Sequence, residues 1–350
     1  MMRRKQLIWI SLGILTLFIG YMLRHHPAFT ESVYGNGVFI GIRWIMSNTF
    51  NRLPFPGITL LCILGIWFFW RTALMPLRKK TWTGWTLIGG ILSTVGGAVF
   101  LFQLLWGFNY FRPTWDKRLG IEVQGMTAEQ LAAEFHRSTT QLNAAVKEVG
   151  NVDVLAFRTQ QEHAVSVESE LRGVLRDYGF PLSYSPRVRI VKPKGILMRW
   201  NTAGIYVPFS GESHVDAGML PIQIPFTLTH EMAHGFGVAD EGDCNFLAYL
   251  ACNASEEPIV RFAGIFSYWR YVASEYRFTF QEEYNMEFQQ LPELVKRLLA
   301  EIRANDAKYP DLFPRFRNTV YDTYLKSQGV HDGLQSYDRV VQLVWEYENR

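Results

Sequence analysis

The chemistry most legible in this chain sits in five consecutive residues, His230-Glu231-Met232-Ala233-His234. On a helix, residues four apart share a face, so both imidazoles can reach one metal ion. Glu231 is adjacent to the first histidine and points about 100° away from the ligand face. It can therefore take a proton from a water that the metal activates, without itself being a ligand. The competing explanation is a surface helix with two unrelated histidines. Pro225 can open the helix, and Leu228 and Met232 give it an apolar face, which favours a packed site.

A catalytic zinc usually takes three protein ligands and keeps one position for water. Glu241 follows His234 by seven residues; on an unbroken helix it would lie about 10 Å further along the axis. It can bind only if the chain turns back, and Gly235 and Gly237 stand where a break is needed. Asp240 and Asp243 compete for the same role. Asp240 falls where an H-E-x-x-H-x-x-G-x-x-H/D motif puts its third ligand. Cys244 reads as a packed thiol rather than a fourth ligand. Tyr206, His214, His331 and Tyr337 are candidates for stabilising an oxyanion if they fold over the site, and His136 and His163 read as surface residues. Gly204–Phe209, with Ile205 and Val207 alternating against Tyr206, is a candidate strand, either an ordinary edge strand or one that pairs with an extended peptide.

The elements that position these residues follow from an uneven chain. The 350 residues carry a net charge of +3, which gives no reason to propose nucleic-acid binding, and 48% are hydrophobic, which excludes disorder as the main state. Residues 1–110 hold ten Lys and Arg but one acid, Glu31; the rest hold 25 basic and 31 acidic residues, a net of −6. This asymmetry indicates a membrane part and a soluble part. Stretches 6–23, 53–70 and 81–111 carry no charge. Each is long enough to cross a bilayer, which predicts transmembrane helices at about 6–23, 53–70 and 81–106. Arg3, Arg4 and Lys5 precede the first span, and Arg71, Arg78, Lys79 and Lys80 separate the second from the third. The positive-inside rule places both segments in the cytoplasm and residues 112–350 outside it. Val33–Met46 reads as an interfacial or re-entrant piece. The three cysteines are too few for a disulfide scaffold.

In 112–350 helical patterns dominate. Thr127 and Gln130 form a capping box opening a helix through about Val149. A second helix is expected from about Val154 to Tyr178, and further ones near 225–235, 241–252, 257–276, 291–304, 316–327 and 334–348. Short strands are expected at Arg187–Ile190 and Ile205–Val207. The fold class expected is α+β, mainly helical: a membrane domain, 1–111, followed by an α-rich domain, 112–350, with a small sheet before its central helices.

Two resemblances extend this. Glu241-Gly242-Asp243-Cys244-Asn245-Phe246-Leu247-Ala248 resembles the E-x-x-A-D-x-x-A helix of membrane-embedded gluzincins of the prenyl-protein-protease type, whose glutamate is the third ligand. Cys244 stands for the alanine and Asn245 for the aspartate; an asparagine can still accept a hydrogen bond from a ligand imidazole. Leu105-Trp106-Gly107-Phe108-Asn109-Tyr110-Phe111-Arg112-Pro113, Gly204–Phe209, Pro225–Thr229 and Asn245–Cys252 together resemble a bacterial membrane-protein family named domain of unknown function 3810. That resemblance spans nearly the whole chain, including the three N-terminal spans, and implies that 112–350 is a zincin-like domain anchored to the bacterial inner or cell membrane. The function expected is a membrane-anchored zinc metallopeptidase: His230, His234 and Glu241 hold Zn2+, Glu231 is the general base, and peptide or protein is the substrate. The alternative expected is a non-catalytic membrane-anchored binding or scaffold protein that keeps the metal site for stability.

Overall fold

The computed structural model describes residues 4–70, 84–123, 125–150, 153–155, 160–328 and 339–350. It is mainly helical with one three-stranded sheet, and it divides into two compact units.

The first unit comprises Met1–Pro113 with the short stretches Ser183–Arg187 and Val207–Glu212. Its frame is a pair of long apolar helices, α1 (Arg4–Arg24) and α4 (Gly84–Leu105). Both are long and apolar enough to cross a membrane. They touch where glycines remove the side chain: a Cβ at Gly13 would lie 2.7 Å from the Gly96 backbone, and one at Gly96 would lie 3.0 Å from the Ile10 Cα. Between them the chain runs through a π-helical stretch, Thr30–Val38, into α2 (Phe39–Asn48) and then α3 (Gly57–Phe69).

The second expected span differs from a straight helix. α3 has 13 residues and begins after Pro56, because Pro54 and Pro56 fit the extended approach better than a helical turn. The segments Pro27–Arg52 and Gly57–Trp67 meet at 91° and have the length and composition of a span only when taken together. The basic segment 71–80 lies outside the described residues. Polar anchors fix the unit: Arg112 forms a two-pronged pair with Glu31, at 2.6 and 3.0 Å, and Arg43 donates to the Gly211 carbonyl at 2.6 Å.

The second unit comprises Thr114–Leu182, Val188–Tyr206 and Ser213–Arg350. α5 (Ala128–Val149) opens with the expected capping box, both reciprocal bonds being present. α6 (Gln160–Asp177) follows, then the strands β1 (Arg187–Val191), β2 (Gly204–Val207) and β3 (Glu212–Asp216). The sheet order is β1-β3-β2, so β2 is an edge strand. β3 was not expected from the pattern: Glu212, Ser213, His214 and Asp216 are polar, yet the whole strand is buried. The core helices are α7 (Ile224–Gly235), α8 (Glu241–Ala254) and α9 (Pro258–Thr279). Tyr249, Phe262, Phe266 and Tyr268 are fully buried among them. α10 (Gln281–Gln290), also unexpected, precedes α11 (Glu293–Asp306), α12 (Pro314–Gln328) and α13 (Arg339–Glu348).

The glycine crossing gives a test. Gly13→Leu or Gly96→Leu should force α1 and α4 apart and lower the thermal midpoint of the protein in lipid nanodiscs. Gly65→Leu, at a position with nothing within 4 Å of the new Cβ, should leave the midpoint unchanged.

Candidate metal centre

α7 carries the H-E-x-x-H residues and α8 opens on Glu241; the link between them makes the site. α7 stops at Gly235, and the Phe236 amide bonds back to the Met232 and Ala233 carbonyls. Gly237 has φ +94°, a conformation that costs an L side chain dearly, so this glycine lets the chain reverse. Asp240 then caps α8, its carboxylate accepting the Asp243 amide at 2.9 Å. The reversal returns Glu241 to the histidines.

The geometry is convergent. One Glu241 oxygen, Oε2, lies 3.1 Å from His230 Nε2 and 3.3 Å from His234 Nε2. Ligand atoms of the three residues all fall within 4.8 Å of one another, and all three side chains are buried. The far ring nitrogens are held elsewhere: His230 Nδ1 is 2.8 Å from Asn245 Oδ1, and His234 Nδ1 is 2.9 Å from the Val238 carbonyl. An acceptor at each Nδ1 keeps a proton there and turns Nε2 toward Glu241, so that release of the Nε2 proton would present a lone pair to a metal. Asn245 thus sits where a second acidic residue would stand in the helix it resembles. Cys244 Sγ is 3.3 Å from His234 Nδ1, on the outer side of that ring, which is the place of a packed thiol.

The competing acids go elsewhere. Asp240 and Asp243 face Arg339 of α13, at 3.2 and 2.9 Å, and the same guanidinium reaches Asp116 at 2.5 Å. Asp243 also accepts the Trp115 amide at 2.8 Å. Burial, reinforced by Asp240, pushes the Asp243 carboxyl up to about 8 against the pull of Arg339. This cluster fixes the N-terminus of α8 from two distant segments, Trp115-Asp116 and Arg339, and was invisible in the local sequence.

Glu231 stands beside the centre. Burial outweighs the two nearby histidines and raises its carboxyl to about 7. Its Oε2 is buried without a hydrogen-bond partner among the described residues. Burial also disfavours charge on Glu241 and His234, but their neighbours prevail: His234 and His230 hold Glu241 well below the usual carboxylate range, and Cys244 with Glu241 holds His234 well above the usual imidazole range. Ser213 of β3 donates to the Glu231 carbonyl at 2.6 Å. Gly204 of β2 lies against the side chain, where a Cβ would come within 2.7 Å of Glu231 Cγ and Cδ.

Among the other candidates, Tyr206 and His214 are buried on β2 and β3. His136 is exposed, with its ring 4.0 Å from Glu287. The side chain of His163, and the whole of His331 and Tyr337, lie outside the described residues.

The family described as "Protein of unknown function (DUF3810)" matches residues 34–345, and the chain belongs to it. No curated protein and no solved structure matches the chain.

Gly204→Ala should push the Glu231 carboxylate out of place and destabilise the protein by about 1–3 kcal/mol, as overpacking a filled site does. Adding Glu231→Ala should restore most of that loss in a double-mutant cycle read by denaturant unfolding. Additive losses would show that the two residues do not meet.

Proposed function

We propose that the chain is a membrane-anchored zinc metallopeptidase with a zincin-like domain of the gluzincin type. The observation that carries this reading is the convergence of His230 Nε2, His234 Nε2 and Glu241 Oε2 on one buried point, with Glu231 alongside. Two neutral imidazoles and one carboxylate are a donor set suited to catalytic zinc, and three ligands leave a position open. His230, His234 and Glu241 would hold the ion. When bound, zinc supplies the Lewis acidity that lowers the pKa of water and polarises a carbonyl oxygen.

The remaining work belongs to the chain's own side chains. Glu231 accepts a proton from the attacking water on its unpartnered oxygen, then delivers it to the departing amine nitrogen. Burial raises the Glu231 carboxyl, the direction a group needs to hold the proton between the two halves of that transfer. Asn245 and the Val238 carbonyl hold the two imidazoles in orientation. β2, at the sheet edge, offers its backbone to an extended peptide, and Gly204, having no Cβ, lets the Glu231 side chain lie against that strand. A scaffold that kept the metal for stability alone would have no use for a buried general base.

Exchange of single atoms separates the roles. Glu231→Gln should fold, retain near-normal zinc, and lose at least about a hundredfold of peptidase activity, the lower end for a general base. Glu241→Gln should weaken zinc binding itself, because a neutral amide is a poorer ligand. Metal analysis and turnover on a peptide library read both. If both variants keep metal and activity, the roles given to Glu231 and Glu241 are wrong; if the unaltered protein holds zinc but turns over no peptide, the peptidase reading fails and the scaffold reading takes its place.

The membrane reading has three spans, the bent pair serving as the second, with the catalytic domain extracytoplasmic in a bacterial cell membrane. It rests on the basic segments at residues 3–5 and 71–80. A reporter active only outside the cytoplasm should work when fused after Arg350 and fail when fused between Arg71 and Lys80. The reverse pattern would place the domain in the cytoplasm.

A further inference from the structure

Arg187–Trp200 holds five basic residues and no acid, inside a half of the chain whose net charge is −6. Much of this segment is a loop between β1 and β2, and it is built to be stiff. The fully buried Asp216 carboxylate accepts four backbone amides: Gly195 and Gly218 on one oxygen, each at 2.6 Å, and Leu197 and Met198 on the other, at 2.7 and 3.2 Å. Such a carboxylate spends all its hydrogen-bonding capacity on fixing the loop.

The stiff loop holds apolar side chains in water. Ile196 and Trp200 are each 42% exposed, and beside them Leu312 and Phe313 are 50% and 55% exposed. The two segments are in contact: the Trp200 and Phe313 rings are 5.7 Å apart, and the Leu312 amide donates to the Arg199 carbonyl at 3.0 Å. Lys192, Lys194 and Arg315 are exposed along these same segments. A pre-organised aromatic and aliphatic platform with cationic neighbours is the composition of a binding surface rather than of ordinary solvent-facing loops. Four residues after Trp200 comes Gly204, which lies against Glu231, and then Ile205, 44% exposed on the edge strand. A polypeptide paired with β2 and continuing past Gly204 reaches the platform within about 14 Å, the span of four extended residues.

We propose that Ile196, Trp200, Leu312 and Phe313, with Lys192 and Lys194, form a docking surface for a polypeptide that carries an apolar residue flanked by acidic ones. The role of that polypeptide as substrate rests on the metallopeptidase reading; the docking itself does not. An anionic lipid surface matches the same charges. Continuity with β2 beside Glu231 favours an extended chain.

The test uses full-length Glu231→Gln protein in zwitterionic nanodiscs, so that binding is read without cleavage. The probes are fluorescein-labelled peptides, one with phenylalanine between glutamate pairs and one with lysine replacing each glutamate. By anisotropy the acidic peptide should bind at least about tenfold more tightly, and Trp200→Ala should cost about tenfold. The pair Lys192→Glu and Lys194→Glu should reverse the preference between peptides. Phe278→Ala, exposed on another helix, should change neither. Equal affinity for the two peptides, or indifference to the platform variants, overturns the proposal. So does a result in which those variants lose binding to phosphatidylglycerol vesicles while peptide binding stays intact. Platform-dependent binding of a peptide that protein with Glu231 intact never cleaves would uphold the docking surface and refute the peptidase reading. Cleavage indifferent to the platform would do the opposite.

Discussion

Everything in the second unit answers to one constraint: three ionisable side chains, His230, His234 and Glu241, meet within 4.8 Å in a buried place. Burying such groups costs several kcal/mol each unless they are paired or ligate a metal. Without an ion, the pair of a raised His234 and a lowered Glu241 meets part of that cost. With an ion, the two Nε2 lone pairs and the carboxylate are already aimed at one point. The outer hydrogen bonds that the rings make to Asn245 Oδ1 and the Val238 carbonyl fix ring orientation and turn both Nε2 atoms toward Glu241.

The backbone serves the same constraint. A continuous helix through 224–254 would leave Glu241 about 10 Å from the histidines. The stop at Gly235, the positive φ of Gly237 and the Asp240 cap convert that distance into contact. Arg339 then ties Asp240 and Asp243 to Asp116. The segment that presents Glu241 is therefore held from the start of the unit and from its last helix. Breaking such a buried ionic cluster on one side is strongly destabilising, on the order of 3–5 kcal/mol. The sheet adds the other wall: Gly204 closes on Glu231 from β2, and Ser213 reaches its carbonyl from β3.

What could be read from the sequence was what local rules govern. The capping box at Thr127 and Gln130, the proline-led helix before His230, the glycine break and the edge strand at Gly204 depend on residues a few positions apart, and each is present. The choice among Asp240, Glu241 and Asp243 was not local. Arg339, nearly a hundred residues away, engages both aspartates, while Glu241 lies against the histidines. β3 was missed because its polar residues break the alternation that marks a strand; they are buried because Ser213 and Asp216 bond to backbone. α10 was missed because it buries no residue and so carries little periodic signal. In the apolar half, composition alone could not tell a straight span from the bent pair around Pro54 and Pro56.

The most direct test of the central claim is the metal's own coordination sphere. Zinc-edge X-ray absorption on the full-length purified protein should show one zinc per chain with two imidazole nitrogens at about 2.0–2.1 Å, a carboxylate oxygen at about 2.0–2.2 Å and no sulfur. Loss of the imidazole signal in His230→Ala and in His234→Ala would complete the assignment. A sulfur shell at about 2.3 Å would make Cys244 a ligand. Zinc unaffected by either histidine variant, or no bound metal at all, would contradict the account.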